Sequence, residues 1–372
     1  MKITDVEGIR LRLPEIREIG DGCQDILIIK VHTDEGIVGI GEAHSNAAVS
    51  QAILDAPMCS VSSSGLKRLL VGEDPCDINR LYDRMVKKSV TPGRRGAFMH
   101  VISGIEIALW DILGKSVGLP VHRLLGGTRR DRIAVYASDL SPGTAKAAVA
   151  LAEKHVKAGY KAVKLGWGQL GGSIKGDAKL VGEVRKAVGP EIDLMLDMGF
   201  PVPLDDAMKL GRMLAEHEVF FLEEPLAPDD LPGWAKLTAV SPTPIATGEK
   251  ETGFRPYANL IDHGGLRIIQ PDVARTGGIS ETLRIANYAE ARSVRVIPHC
   301  WSCDVLVAAT LHVIAQLKEC PYLEFNVMDN PLRTQLMKEP LRPKNGIIAI
   351  PDKPGLGIEL DEKTVAKYRW AG

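Results

Sequence analysis

The chain has 372 residues, more than one compact core usually holds, so two structural units are expected, one of them large enough to be a barrel. Basic and acidic residues balance at 46 against 47, with no basic stripe or like-charge block, which excludes nucleic acid and an anionic membrane surface as main partners. Hydrophobic residues make up 45 % and charged residues 25 %, and no apolar run approaches the ~20 residues of a bilayer span, so a soluble, folded protein is expected.

The first residues, MKITDVEGIRLRLPEI, alternate charged and apolar side chains and do not read as a signal peptide. Six cysteines (Cys23, Cys59, Cys76, Cys300, Cys303 and Cys320) are too few for a disulfide scaffold in so long a chain. They are expected to be reduced thiols, which points to the cytoplasm.

Residues 2–13 and 25–43 are rich in β-branched side chains, and Thr33-Asp34-Glu35-Gly36 is a turn signal for an antiparallel hairpin. Apolar residues then recur at helical spacing through 78–86 and 98–117, which predicts an α+β unit over residues 1–127, closing at the Gly126-Gly127 pair. From there the pattern changes to short apolar runs alternating with amphipathic stretches, the signature of repeated βα units. Candidate strands lie at 133–138, 161–165, 193–197, 219–223, 244–249, 266–272, 294–299 and 322–326. Their spacing suits one strand, one helix and two loops per unit, so residues 128–330 are expected to form an α/β barrel. The Pro/Gly-rich segment within 331–372 no longer repeats the unit and is expected to fold back on the first part.

Catalytic residues of a parallel barrel sit at the C-terminal ends of its strands. The third candidate strand ends in Asp197, the fourth in Glu223 followed by Glu224-Pro225, and the fifth in Glu249. Three carboxylates at one height would repel each other strongly without a cation, and three such oxygens suit a hard ion such as Mg²⁺. The sixth strand ends in Asp272 and the seventh in His299. Side by side, the carboxylate would fix the imidazole's tautomer and raise its basicity, as a general base requires. Glu324 ends the eighth strand and would position substrate or donate a hydrogen bond to a developing oxyanion. On the second strand the inward series is Ala162, Lys164, Gly166, and a lysine pointing into a barrel must meet carboxylates or an anionic substrate.

The ordered set of Lys164, Asp197, Glu223 in FLEEP, Glu249 in TGE, Asp272, His299 and Glu324 resembles the mandelate racemase subgroup of the enolase superfamily. SGIEIALWDILGKSVGLPVHRLLGG (103–127) and the terminal PDKPGLGIELDE are similar to segments of the mandelate racemase and muconate lactonising enzyme family, so the resemblance spans essentially the whole chain. It implies an α+β capping domain completed by the C-terminal segment, a modified (β/α)₇β barrel, one Mg²⁺ per subunit, and removal of the proton alpha to a substrate carboxylate. It also implies a homo-oligomer acting on a small-molecule carboxylate. Asp197, Glu223 and Glu249 would hold the metal, His299 would be the base, Asp272 would orient it, and Glu324 would meet the ene-diolate oxygen.

Two positions depart from that pattern. Where the subgroup has Lys-x-Lys, this chain reads Lys164-Leu165-Gly166, and a common Asn is replaced by Gly199. Loss of a positioned base forfeits roughly 10²–10⁴-fold, which favours one-base chemistry. Dehydration of an acid sugar to a 2-keto-3-deoxy acid fits best; an epimerase or racemase, or a sugar-acid lactone cycloisomerase with Lys164 acting from the other face, is the alternative. A remote one is a dinucleotide-dependent oxidoreductase, from the literal G-x-G-x-x-G at 166–171, although the helical pattern begins only near Asp177. The Cys300-x-x-Cys303 pair is expected to pack beside the base. The loops near 14–24 and 44–62, together with Arg94-Arg95, are expected to select the substrate, with Arg17, His44 and Trp301 as candidate contacts.

Overall fold

The computed structural model describes residues 1–61, 63–168 and 170–370. The chain opens with an antiparallel sheet of β1 (Ile3–Arg12), β2 (Asp25–Thr33) and β3 (Val38–Ala43), in that order. The expected turn joins β2 to β3, with Gly36 in the left-handed region at φ 77°. The helix Ala97–Val117 packs across β2 and β3. Close approach needs Gly39 and Gly41, where any Cβ would overlap the carbonyls of Ala108 and Gly104. This helix corrects one expectation: by length and composition it is apolar enough to cross a bilayer, but it is a core helix, mostly buried under the sheet. A second correction concerns 44–62, read as a loop. Residues Ala47–Asp55 are helical, because the Asn46 side chain accepts from Val49 N–H at 3.1 Å and Ala47, Ile53 and Leu54 are buried.

Eight parallel strands follow: β4 (Arg132–Leu140), β5 (Ala162–Gly166), β6 (Asp193–Asp197), β7 (Phe221–Glu223), β8 (Ile245–Thr247), β9 (Ile268–Ile269), β10 (Arg295–Val296) and β11 (Leu323–Asn326). Each of the first seven is followed by helix, and the sheet runs from β10 back to β4 with β11 on the far edge of β4, a (β/α)₇β arrangement. Among the described residues no ladder joins β10 to β11; that seam is bridged by Cys300 N–H donating to Glu324 Oε2 at 2.9 Å. Tyr136, Ala162, Met195, Phe221, Ala246, Ile268 and Ile297 fill the interior beneath the site. β9 and β10 are shorter than expected because Pro271 and Pro298 have no N–H to continue a ladder. Asp272 and His299 therefore sit just beyond their strands rather than on them.

The closing segment returns to the first sheet: Trp370 N–H donates to Arg10 O at 2.9 Å, and Leu356 N–H to Asp111 Oδ1 at 2.8 Å. Part of it does something unexpected. β12 (Ile347–Ala349) pairs antiparallel with Arg132–Ala134, covering the stretch of β4 that neither β5 nor β11 reaches.

Candidate active site

The strand ends converge on a cavity of about 290 Å³, lined from the first unit by residues 19–22 and His44 and from the barrel by Lys164, Asp197, Glu249, His299 and Glu324. Asp197 and Glu223 stand at one height, paired in the β6–β7 register. Glu249 does not lie at a strand end: β8 stops at Thr247, and Gly248 turns the chain at φ 128° to bring the next side chain inward. Lys164 lies below them, 2 % exposed, with Nζ 2.7 Å from Glu223 Oε2, 2.7 Å from Glu324 Oε1 and 3.7 Å from Asp197 Oδ2. Burial alone would neutralise this ammonium, but Glu223 and Glu324 hold its pKa well above the usual lysine value.

The three carboxylates fit a hard divalent ion. Burial, with the neighbouring Glu249 charge, pushes Asp197 up to about 6 even against Lys164, and burial and Asp197 push Glu223 well above the usual carboxylate range. Glu223 Oε1 is buried with no hydrogen-bond partner. A buried, unpartnered carboxyl oxygen beside other carboxylates is the feature a cation would satisfy.

His299 faces this group. Its Nδ1 lies 2.7 Å from Asp272 Oδ2, and its Nε2 lies 2.9 Å from Glu249 Oε2 and 3.8 Å from Glu324 Oε2. Against the cost of burial, Glu249, Glu324 and Asp272 raise the imidazole to about 10. Asp272 itself is held well below its ordinary value, despite burial, by the hydrogen bonds from His299 and His44. His44 Nδ1 reaches the same Asp272 oxygen at 3.1 Å, and its ring stacks on that of His299 with centroids 6.0 Å apart. Burial and the Arg275 guanidinium lower His44 to about 4, so it is a neutral ring. His44, Asp272 and His299 also bring ligand atoms within 4.8 Å of one another, but both Nδ1 atoms point at one carboxylate oxygen, a hydrogen-bonded relay rather than an open cage.

Several participants escaped the sequence reading. Arg275 lies one turn beyond Asp272, donates to Glu249 O at 3.0 Å and reaches His44 Nε2 at 3.3 Å; the Asp-x-x-Arg spacing was its only signal. Ser138 Oγ donates to Glu324 Oε1 at 2.8 Å. Glu224, the second acid of FLEEP, is buried, accepts from Thr247 Oγ1 at 2.8 Å and pairs with Lys250 at 2.6 Å. Trp167 lines the cavity in the left-handed region at φ 56°, a conformation costing a non-glycine residue about 1–3 kcal/mol.

Not every candidate contact reaches the cavity. Trp301 lines it, but Arg17 is exposed outside it, its backbone held by the Gln24 side chain at 2.8 and 2.9 Å. Arg94 and Arg95 border a separate groove with Tyr82 and Phe254. Cys300 and Cys303 are buried free thiols, and Cys303 Sγ donates to Glu42 Oε2 at 2.9 Å. In the glycine motif, Gln169 lies outside the described residues. The following helix starts at Ile174, and Gly171 N–H is taken by Asp177 Oδ2 at 3.0 Å, so the amide a pyrophosphate would need is already bonded.

Comparison with known proteins bears on this arrangement directly. Residues 147–364 match the model of the enolase C-terminal domain-like family, and residues 19–126 that of the mandelate racemase / muconate lactonizing enzyme N-terminal domain. The chain belongs to the mandelate racemase / muconate lactonizing enzyme family. Within it, the D-galactarolactone cycloisomerase of Agrobacterium fabrum is 33 % identical over 92 % of this chain and 91 % of its own. The arabinonate dehydratase of Saccharolobus solfataricus is 30 % identical over 95 % of this chain and 93 % of its own. Among solved structures, the 3,6-anhydro-D-galactonate cycloisomerase from Zobellia galactanivorans superposes with a TM-score of 0.90 at 30 % identity, covering 100 % of both chains. Members of this family share an enolase-superfamily barrel and cap, and the relatives named here are acid-sugar dehydratases and cycloisomerases.

Proposed function

We propose that the protein removes the proton alpha to the carboxylate of an acid sugar and, through the resulting ene-diolate, eliminates the beta hydroxyl to give a 2-keto-3-deoxy acid. The observation that carries this is the His299–Asp272 pair set directly against the three-carboxylate cluster, with Nε2 2.9 Å from Glu249, where His299, Asp197 and Glu249 line one cavity. Asp272 takes Nδ1–H, so Nε2 is the basic atom of His299; it acts once Glu249, drawn to the divalent ion it would help to hold, no longer pairs with the Nε2 proton. His299 takes the alpha proton there. The ene-diolate gathers a second negative charge, and Lys164, held as an ammonium in the lining of the same cavity, would stabilise it. A divalent ion held by Asp197, Glu223 and Glu249, for which Mg²⁺ is the family's usual choice, would supply further charge neutralisation at the substrate carboxylate. His299 Nε2–H then returns its proton to the departing hydroxyl, water leaves, and the enol collapses to the ketone.

Racemisation is disfavoured, because it needs a base on each face. Gly166 carries no side chain, and Lys164 is kept protonated by two carboxylates. The same gap favours one second reading, opening of a sugar-acid lactone. There the leaving oxygen departs as a carboxylate and needs no proton from the empty face.

A panel of aldonic and aldaric acids and their lactones, incubated with Mg²⁺-loaded protein, tests both readings. Keto acid with loss of one water, made by wild type but not by His299→Asn, supports dehydration. Keto acid of unchanged mass from a lactone selects ring opening, and deuterium exchange at the alpha carbon in D₂O without keto acid rejects both.

A further inference from the structure

The β5 side of the cavity, away from the β10 side that carries His299, is walled by a residue with no acid–base chemistry. Trp167 follows Gly166 at φ 56°, a backbone state tryptophan rarely adopts. Two backbone bonds impose it: Trp167 N–H donates to Asp197 O at 3.2 Å, and the Gly166 carbonyl accepts from Ser141 N–H at 2.6 Å. A non-glycine outlier held in place at the edge of a ligand cavity is a pointer to function.

The indole fits only because two glycines make room for it. A Cβ at Gly199 would come within 2.8 Å of the ring, and one at Gly20 within 3.0 Å. Gly199 belongs to the barrel loop after β6 and Gly20 to the loop between β1 and β2. The ring therefore touches both units while it lines the cavity, and Phe200 supports it edge-on at a centroid distance of 5.1 Å. The two departures from the family pattern become one feature. Gly166 leaves the end of β5 without a charge, and Gly199 leaves space for an apolar ring beside it.

Such a wall has chemical consequences. Beyond its indole N–H, Trp167 offers the substrate no hydrogen-bonding group. An open-chain acid sugar would press hydroxyls against it unpaired, whereas a ring-form acid ties up one hydroxyl and presents C–H groups. We propose that Trp167 is the specificity-determining residue of this site, closing the cavity opposite the base, latching the Gly20 loop over it and selecting ring-form sugar acids over open chains. This rests on the alpha-proton chemistry proposed above and, of its two outcomes, selects lactone opening over dehydration of an open chain.

The test compares D-galactarolactone with D-galactonate in Mg²⁺-loaded wild type, Trp167→Ala, Trp167→Phe and Gly20→Val, with alpha-proton exchange followed in D₂O. Wild type and Trp167→Phe should prefer the lactone at least tenfold in kcat/KM. Trp167→Ala should lose that preference through a KM for the lactone raised at least tenfold, with kcat falling less than threefold. Gly20→Val, which drives a branched side chain into the ring, should act as Trp167→Ala does. As a readout independent of turnover, the lactone should quench indole emission in His299→Asn protein, and adding Trp167→Phe should remove most of the quenching. An unchanged KM and preference in Trp167→Ala, or a fall in kcat alone, overturns the inference while leaving the proposed function standing. No exchange from either acid in wild type, with no quenching, removes the proposed function and the inference together.

Discussion

Lys164 Nζ and Glu324 Oε1 meet at 2.7 Å, both buried, in the floor of the cavity where β5 and β11 flank β4. The ammonium also serves Glu223, so one cation balances two buried carboxylates. Replacing Lys164 by Met leaves both uncompensated, and breaking a buried pair in this way costs about 3–5 kcal/mol. Urea denaturation at pH 8 should show that loss in metal-free protein, and Mg²⁺ should restore part of it by supplying Glu223 with a cation. Turnover should fall at least 10²-fold in either condition. Unchanged stability would mean that the buried lysine is not carrying the charge assigned to it.

His299 and Asp272 are the proposed base and its orienting partner, and their loss should be read at different depths. His299→Asn removes the group that takes the proton, so alpha-proton exchange should fall by roughly 10²–10⁴-fold. Asp272→Asn keeps the ring but no longer dictates which nitrogen carries hydrogen, and it should cost roughly 10²-fold. Exchange measured by proton NMR checks both. An Asp272→Asn protein as active as wild type would remove the orienting role.

Metal binding should be coupled to protons. In the metal-free protein Asp197 is pushed up to about 6 and Glu223 well above the usual carboxylate range, so both tend to hold protons at mildly acidic pH that a cation must displace. Glu249, held low by His299 despite its burial, contributes none. Mg²⁺ affinity should therefore rise as pH is raised from 5.5 to 8. Calorimetry in two buffers of different ionisation heat should show proton release that is largest at the acidic end. Affinity independent of pH would place the ion elsewhere.

Much of this site was legible because each proposed metal ligand comes at or just after the end of a short apolar strand, and strand ends are where a parallel barrel exposes chemistry. The exact boundaries were less so: Pro271 and Pro298 were in plain view, but the strands were extended through them to Asp272 and His299, since β-branched runs do not show where the ladder loses its N–H. Arg275 was illegible for a different reason. An arginine three residues after an aspartate reads as ordinary helix surface until the fold aims it at His44 and Glu249. Trp167 was hidden most deeply, because a left-handed tryptophan wedged on Gly20 and Gly199 depends on contacts between segments distant in the chain, and those glycines read singly as turn residues.

A last prediction concerns stability away from the site. His312, on the helix Asp304–Ile314, lies 3.2 Å from Leu356 O through Nε2, and its Nδ1 accepts from His122 N–H at 3.3 Å. It thereby ties the segment after the capping helix and the returning C-terminal segment to the barrel. Burial lowers its pKa to about 4, so the folded state binds this proton less readily than the unfolded chain, whose imidazole titrates near 6.5. The stabilising contribution is complete above pH 6.5 and is lost as pH falls from 6.5 toward 4, by at most about 3 kcal/mol. Glu42 and Glu106, both raised to about 7 by burial, act in the opposite sense, gaining stability over the same fall in pH. The difference between wild type and His312→Gln isolates the histidine. Unfolding free energies measured in urea from pH 7.5 to 4.5 should fall more steeply in wild type than in the variant, and parallel curves would show that His312 is not buried as the neutral ring.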